Sequence, residues 1–377
     1  METIKVTNVW VYYSFFLVIL VFGLLFSKYE YVPVFSNGKY KRNKNLMVIS
    51  FILIGYITFW AAVRNGVADT STYIDGYKML NSNVNILEVF RGEEKAPLFT
   101  VYQIILKRFG FDYHFYLASI AVISGICIAY GIGAYSESVF FSAFVFVAST
   151  NCTWMFNGIR QFLVVAIIFA LTRLIVEKKL FKFLILVFIL YFVHKSCIIM
   201  IPVYFVLNFK PWSWKIAVCI LTTMAIVLLF PQLFVELLDS GMKDYNLAEQ
   251  MQEDDGVNIL RVFVAAAPAI LAYVDRRKIK EFDNRYVDLW VNASVITVCL
   301  YSVGVISSGI FVGRLPIYTE IYNVLLLPFI LKRIIPQESK SLLYIACVGF
   351  YILFFYLMMK NAYYTTDLFA SMNLKSI

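Results

Sequence analysis

The run Arg64-Asn-Gly-Val-Ala-Asp-Thr-Ser-Thr-Tyr73 sets a guanidinium, a carboxylate and three aliphatic hydroxyls directly after an apolar segment ending Phe59-Trp60-Ala-Ala-Val63. Other polar groups stand at comparable apolar edges: His114, Asn157-Gly-Ile-Arg160-Gln161, His194-Lys195-Ser196, Asn258 with Arg261, and Arg314 with Tyr318 and Glu320. No HExxH, GxSxG, P-loop or DxD pattern occurs, and Asp254-Asp255-Gly256 is two adjacent acids in an acidic loop, not a metal motif. What remains is equipment for metal-free group transfer. Arginines would stabilise a phosphate or diphosphate as it leaves, and a carboxylate or histidine would take the proton of an attacking hydroxyl.

Each residue also has a plainer reading. An edge arginine snorkels to lipid headgroups, either histidine finishes a helix end, Asp69 caps a helix or partners Arg64, and Asn157-Gly158 makes a turn. Glu320 resists such a reading, because a carboxylate two turns into a span is costly unless paired or functional. Arg160, Arg261 and Arg314 each open a helix whose dipole is already positive there, an arrangement that calls for an anion.

The elements that position these residues lie in a bilayer. The chain of 377 residues is 61% hydrophobic and 15% charged, with mean hydropathy +0.76, against about 25% charged in soluble domains. Apolar runs begin near residues 10, 46, 114, 138, 159, 180, 196, 213, 258, 289, 314 and 341, which predicts an all-α polytopic membrane protein of about 12 transmembrane helices. Those at 138, 180 and 196 are short and must tilt, kink or borrow flanking residues. The first run carries no small-residue cleavage site and reads as a retained span. All six cysteines sit in or beside apolar runs, without CxxC spacing, so packing is their expected role; a Cys152–Cys197 disulfide stays open.

Lysine and arginine fix the sides. With the N-terminus outside, the inner loops hold eighteen Lys/Arg and eight Asp/Glu, and the outer segments fourteen and fifteen. This places both termini outside. The basic residues fall in short loops and form no stripe, which speaks against nucleic acid and for anionic membrane lipids. One membrane domain, 1–377, is expected with two outer elaborations. Segment 64–113 would carry a short interfacial or re-entrant amphipathic helix over 98–108, and 233–257 would form an acidic loop.

In order along residues 45 to 330, Phe59-Trp60 with Arg64-x-Gly-x-x-Asp69-Thr70-x-x-Tyr73, Glu93-Glu94-Lys-Ala-Pro97-Leu-Phe99, Asn157-x-x-Arg160-Gln161, His194-Lys-Ser196 and Arg314-x-x-x-Tyr318 resemble the EpsG family of exopolysaccharide-biosynthesis membrane proteins, similar in role to Wzy-type polymerases. Lys95-Ala96 stand between the acidic pair and Pro97, leaving open which of Glu93 and Glu94 takes the family's acidic position.

The resemblance implies a GT-C-like membrane glycosyltransferase in the bacterial plasma membrane. It would join repeat units carried on undecaprenyl diphosphate at the outer face, without a cofactor or metal, beside a flippase and a chain-length regulator. Arg64, Arg160 and Arg314 would hold diphosphate. Asp69, then Glu94 or Glu320, would act as base, and His194 would touch phosphate or move a proton. Tyr73, Asn157, Gln161, Arg261 and Tyr318 would bind or orient substrate, and Trp60, Tyr77 or Trp154 would stack on sugar. A polyprenyl-phosphate-sugar transferase, a flippase and an acyltransferase are the alternatives. The flippase lacks internal repeats and cations through the membrane centre; the acyltransferase wants a histidine base served from inside.

Overall fold

All twelve apolar runs carry helix in the computed structural model, which describes residues 9–31, 35–36, 39–40, 44–92, 94–229, 257–306 and 312–369. The acidic stretch 242–256, nearly all of the 233–257 loop, and Glu93 lie outside the described residues. In chain order the helices are α1 (Trp10–Phe26), α2 (Lys44–Ala62), α3 (Thr70–Met79), α4 (Ile86–Arg91), α5 (Pro97–Arg108), α6 (Tyr113–Tyr135), α7 (Val139–Ala148), α8 (Ile159–Ala170), α9 (Arg173–Val176), α10 (Leu180–Tyr191) and α11 (Met200–Leu207). Then come α12 (Trp214–Leu229), α13 (Ile259–Val274), α14 (Arg276–Phe282), α15 (Arg285–Ile306), α16 (Ile317–Glu320), α17 (Asn323–Phe329) and α18 (Gln337–Met359). A two-residue antiparallel ladder, Phe35–Ser36 with Lys39–Tyr40, is the one sheet among the described residues.

Among the described residues five helices are long and apolar enough to cross a membrane: Trp10–Glu30, Lys44–Ala62, Tyr113–Tyr135, Arg285–Val305 and Gln337–Met359. Val312–Glu320 with Asn323–Ile334, bent by 45°, makes a sixth if counted as one span. The remaining apolar helices are shorter. α7 has only 10 residues, a rise of about 15 Å against about 30 Å of hydrocarbon. The chain is an all-helical, polytopic membrane protein. Its outer helices show this directly, since α1 exposes Leu17, Leu20 and Leu24 and α18 exposes Leu342, Ile345 and Leu353. α15 is the most deeply buried of these five and α1 among the least.

Local chemistry fixes the helix starts. Asp112 accepts from the Phe115 amide, Ser138 from Phe141 and Asn258 from Leu260, so each spends its side chain on an orphan donor. The Gly125-x-x-x-Ala129-x-x-x-Gly133 stripe works within the chain. Gly125 faces Thr58, and Ser50 Oγ donates to the Ala129 carbonyl at 2.7 Å, bringing α2 and α6 into close packing. Cys152 and Cys197 are both free thiols, so the disulfide left open by the sequence is not formed.

The two ends of the bundle differ in chemistry. At one, Arg333 grips Glu137 through Nε (3.0 Å) and Nη2 (3.2 Å), and Lys332 donates to the carbonyls of Glu30 and Glu137. The other end gathers Tyr12, Thr150, Asn157, Arg261 and Tyr363 around one cavity, so the start of α1 and the end of α18 share it.

Segment 64–113 holds three helices, two more than the single one expected. They form a cap: Leu98 N donates to the Phe192 carbonyl (3.0 Å), Tyr77 Oη to the Phe111 carbonyl (2.8 Å), and Lys107 Nζ to the carbonyls of Tyr77, Lys78 and Leu80. α3 and α4 escaped the sequence reading because neither carries a long apolar face; their hold comes from these long-range bonds.

Candidate functional site

A 3₁₀ turn, Asn151–Met155, leads through Phe156-Asn157 to Gly158, whose φ of +66° turns the chain into α8 and puts Arg160 and Gln161 in its first turn. Gln161 is buried, and its Nε2 donates to Ser196 Oγ (3.3 Å) and to the Arg314 carbonyl (3.0 Å). Ser196 Oγ lies 2.8 Å from His194 Nδ1 and 2.9 Å from Tyr318 Oη. One amide and one hydroxyl thus weld together α8, the turn after α10 and the 3₁₀ turn Val312–Arg314. Because Gln161 occupies one lone pair of Ser196, the hydroxyl can donate to His194 while accepting from Tyr318, or the reverse. That is a short proton path.

Around this weld the charged groups converge. Arg160 is half-buried, with its guanidinium 5.7 Å from the Phe99 ring and hydrogen-bonded with the Tyr73 side chain. Arg314 and Asp69 act on the same tyrosine electrostatically. His194 is pushed down to about 3, by burial first and then by Arg160 and Arg314, so its imidazole is neutral at physiological pH.

Asp69 precedes α3, but its carboxylate accepts no bond from the helix amides and is no partner of Arg64. It is half-buried, and among the described residues its carboxylate has no hydrogen-bond or ion-pair partner.

Arg64 sits deeper than the other arginines, 1% exposed. Its Nε donates to Thr70 Oγ1 at 3.2 Å and its Nη1 to the Ala61 carbonyl, while Nη2 is buried without a partner among the described residues. Burial lowers it to about 10, with Tyr364, Tyr116, Tyr73 and Tyr12 around it, and it remains a cation. Tyr73 thus feels Arg160 and in turn acts on Arg64.

The other expected residues divide into two places. Glu94 is exposed, accepts from Thr100 Oγ1 (3.3 Å), and with Arg160 lines a cavity of about 500 Å³. Glu320 is away from that group: Tyr301 Oη donates to its Oε2 at 2.6 Å, and Arg261 is the nearby cation. Arg261 and Asn157 line a separate cavity of about 200 Å³. Trp60 packs edge-on against Tyr56 and Tyr364, and Tyr77, 2% exposed, is stacked on Tyr116; Tyr77 therefore has no face open to a sugar. His114 is exposed between Asp112 and Asp367.

Among the described residues no carboxylate lies within ion-pair distance of Arg64, Arg160, Arg261 or Arg314, whereas Arg333, Arg173, Lys210 and Lys278 at the other end all have one. No three His, Cys, Asp or Glu side chains form a group able to hold a metal ion among the described residues.

Sequence reasoning missed Tyr301, Thr150 and the central place of Ser196. It also missed the segment after α18, where Tyr364 Oη donates to the Trp60 carbonyl (2.7 Å) and Thr366 Oγ1 to that of Val63 (2.6 Å). A signal existed in Asn361-Ala-Tyr-Tyr-Thr-Thr-Asp367, a polar run at the same edge.

Fold and site together define a polytopic membrane protein whose polar residues converge, rich in arginine, at one end of the bundle. The chain belongs to the EpsG family, whose model matches residues 47–371 and so includes the segment after α18. No curated protein and no solved structure matches it. Membership ties the chain to exopolysaccharide biosynthesis.

Proposed function

We propose that the protein is a polymerase of lipid-linked oligosaccharide repeat units. It transfers a glycan from undecaprenyl diphosphate to a sugar hydroxyl of the next lipid-linked repeat, at the outer face of a bacterial plasma membrane. The observation that carries this reading is that, among the described residues, Arg64, Arg160 and Arg314 have no carboxylate within ion-pair distance, with the Asp69 carboxylate, which caps no helix, in the same group. Arg64 is buried and Arg160 half-buried, while Arg314 is exposed beside them; a desolvated cation without a partner is expensive, and an anionic diphosphate reaching this group offsets that cost.

In the reaction, the acceptor hydroxyl oxygen attacks the anomeric carbon while the bond from that carbon to the diphosphate oxygen breaks. The diphosphate leaves with the electron pair into Arg160 and Arg314, with Arg64 coupled to them through Tyr73. Asp69 takes the hydroxyl proton. His194, neutral when the site is empty, joins the phosphate through the Ser196–Tyr318 path. Glu94, across the larger cavity from Arg160, is the second choice of base. In this reading the shorter apolar helices complete twelve crossings of GT-C-like type with both termini outside, the three-helix cap lies at the outer interface, and the reaction is independent of metal.

The test is purified protein with a lipid-diphosphate-linked repeat unit and a mass ladder as readout. Growth in whole repeats without added nucleotide or metal is expected. No ladder, but turnover of a polyprenyl-phosphate monosaccharide, would make it a single-sugar transferase.

A further inference from the structure

The smaller cavity at this end is lined by Tyr12, Thr150, Asn157, Arg261, Met359 and Tyr363, among others, and measures about 200 Å³. It differs from the larger cavity beside Arg160 although Asn157 and Arg160 are three residues apart. Its polar groups suit hydroxyls more than phosphate. Asn157 Oδ1 is buried with no donor supplied to it among the described residues, a cost that a ligand hydroxyl would remove. Thr150, β-branched, is held at φ 66° with its Oγ1 accepting from Arg261 Nη1 at 3.3 Å, a strained conformation of the kind that persists where a site needs it. Met359 and the tyrosines add apolar faces.

Arg261 is fixed from behind. Tyr301 Oη donates to Glu320 Oε2 (2.6 Å), both are buried, and both lie beside Arg261. Glu320 lines neither cavity. A buried carboxylate one hydrogen bond removed from the cation steadies its charge and orientation without neutralising it.

We infer that this cavity is a glycan-binding subsite separate from the Arg160–Arg314 group, with Arg261 and Asn157 contacting sugar hydroxyls and Glu320 and Tyr301 as positioning residues. Glu320 is accordingly not the base. The subsite holds a sugar of the acceptor repeat; that last assignment rests on the polymerase reading above.

The test is titration calorimetry on the full chain in lipid nanodiscs with two probes. One is the oligosaccharide released by mild acid from the host's own lipid-diphosphate pool, and the other is inorganic pyrophosphate. Arg261→Ala and Asn157→Ala are expected to weaken the oligosaccharide about tenfold while pyrophosphate stays within about twofold. Arg314→Ala should show the opposite pattern. Glu320→Gln, which keeps an acceptor for Tyr301, should weaken the oligosaccharide alone; a merely structural role would weaken both probes and lower the melting temperature. Unchanged oligosaccharide binding in both Arg261→Ala and Asn157→Ala overturns the subsite, as does parallel loss of both probes in every variant. If the expected pattern holds but no repeat ladder forms, the polymerase reading fails and the subsite stands.

Discussion

The main chain of Arg64 pairs with that of Thr366 in an isolated antiparallel bridge. Asn65 N donates to the Thr365 carbonyl (3.0 Å), and Thr365 Oγ1 returns a bond to the Gly66 carbonyl (3.0 Å). The loop presenting Asp69 is therefore held by residues some three hundred positions away. A Cβ built on Gly66 would meet Thr365 Oγ1 at 2.2 Å, so Gly66→Ala must displace the Thr365 hydroxyl and break its bond to the Gly66 carbonyl. Thr365→Ala alone should cost about 1 kcal/mol through its lost bond. In the Gly66→Ala background it should instead stabilise, because the clashing atom is gone. A thermal-melt double-mutant cycle checks the reversal; equal destabilisation in both backgrounds would sink the strap as the loop's support.

Arg160 and Arg314 should behave as transition-state groups. Alanine at either position is expected to lower kcat by about 10²–10³, with lysine recovering part of it, since lysine keeps the charge and loses the planar fork. Melting temperature should hardly move. Arg64→Ala should differ, losing stability as well as rate, because its side chain ties Thr70 to the Ala61 carbonyl. Parallel kinetics and melts separate the two behaviours. Full activity in both the Arg160 and Arg314 alanine variants would remove the diphosphate clamp.

Asp69→Asn should cut the rate by about 10²–10⁴, the usual span for a general base. Because the carboxylate caps nothing on α3, stability should stay at the wild-type value. If Asp69→Asn retains full rate and Glu94→Gln does not, the base is Glu94.

His194 gives a pH signature. Its folded-state value, about 3, lies below the ordinary 6.5, with burial as the main cause. Between these two values the unfolded chain binds a proton that the folded one refuses, so stability is full above about 6.5 and falls as pH drops toward 3. His194→Gln should flatten the slope of melting temperature between pH 6.5 and 5. An identical slope in both proteins would mean that the imidazole already carries its proton.

What the sequence could reveal depended on the physics of each feature. Apolar runs mark helices by composition, so the twelve runs were legible, and edge residues such as Arg160, His194 and Arg314 were legible by their places at run ends. Their convergence through Gln161 and Ser196 is tertiary, and no spacing rule brings residues 161, 196 and 314 together. Glu320 was read as functional because burial of a carboxylate is expensive. Its partner Tyr301 sits in another helix, and without it the choice between base and support could not be made. The strap left a polar run in the sequence, but its target at 63–66 depends on α1, α2 and α18 being packed at one end.

The opposite end provides a control for these arguments. Glu137, with a fully buried side chain, receives two bonds from Arg333, while Lys332 donates to its carbonyl. Breaking such a pair from one side strands a charge and should cost about 3 kcal/mol. Glu137→Ala is therefore expected to lower the melting temperature well below that of Arg160→Ala, while the folded fraction keeps its specific rate. The comparison uses active-site titration to count folded enzyme. A Glu137→Ala protein that melts like the wild type would show that carboxylate pairing does not distinguish the arginines that hold the fold from those that serve the reaction.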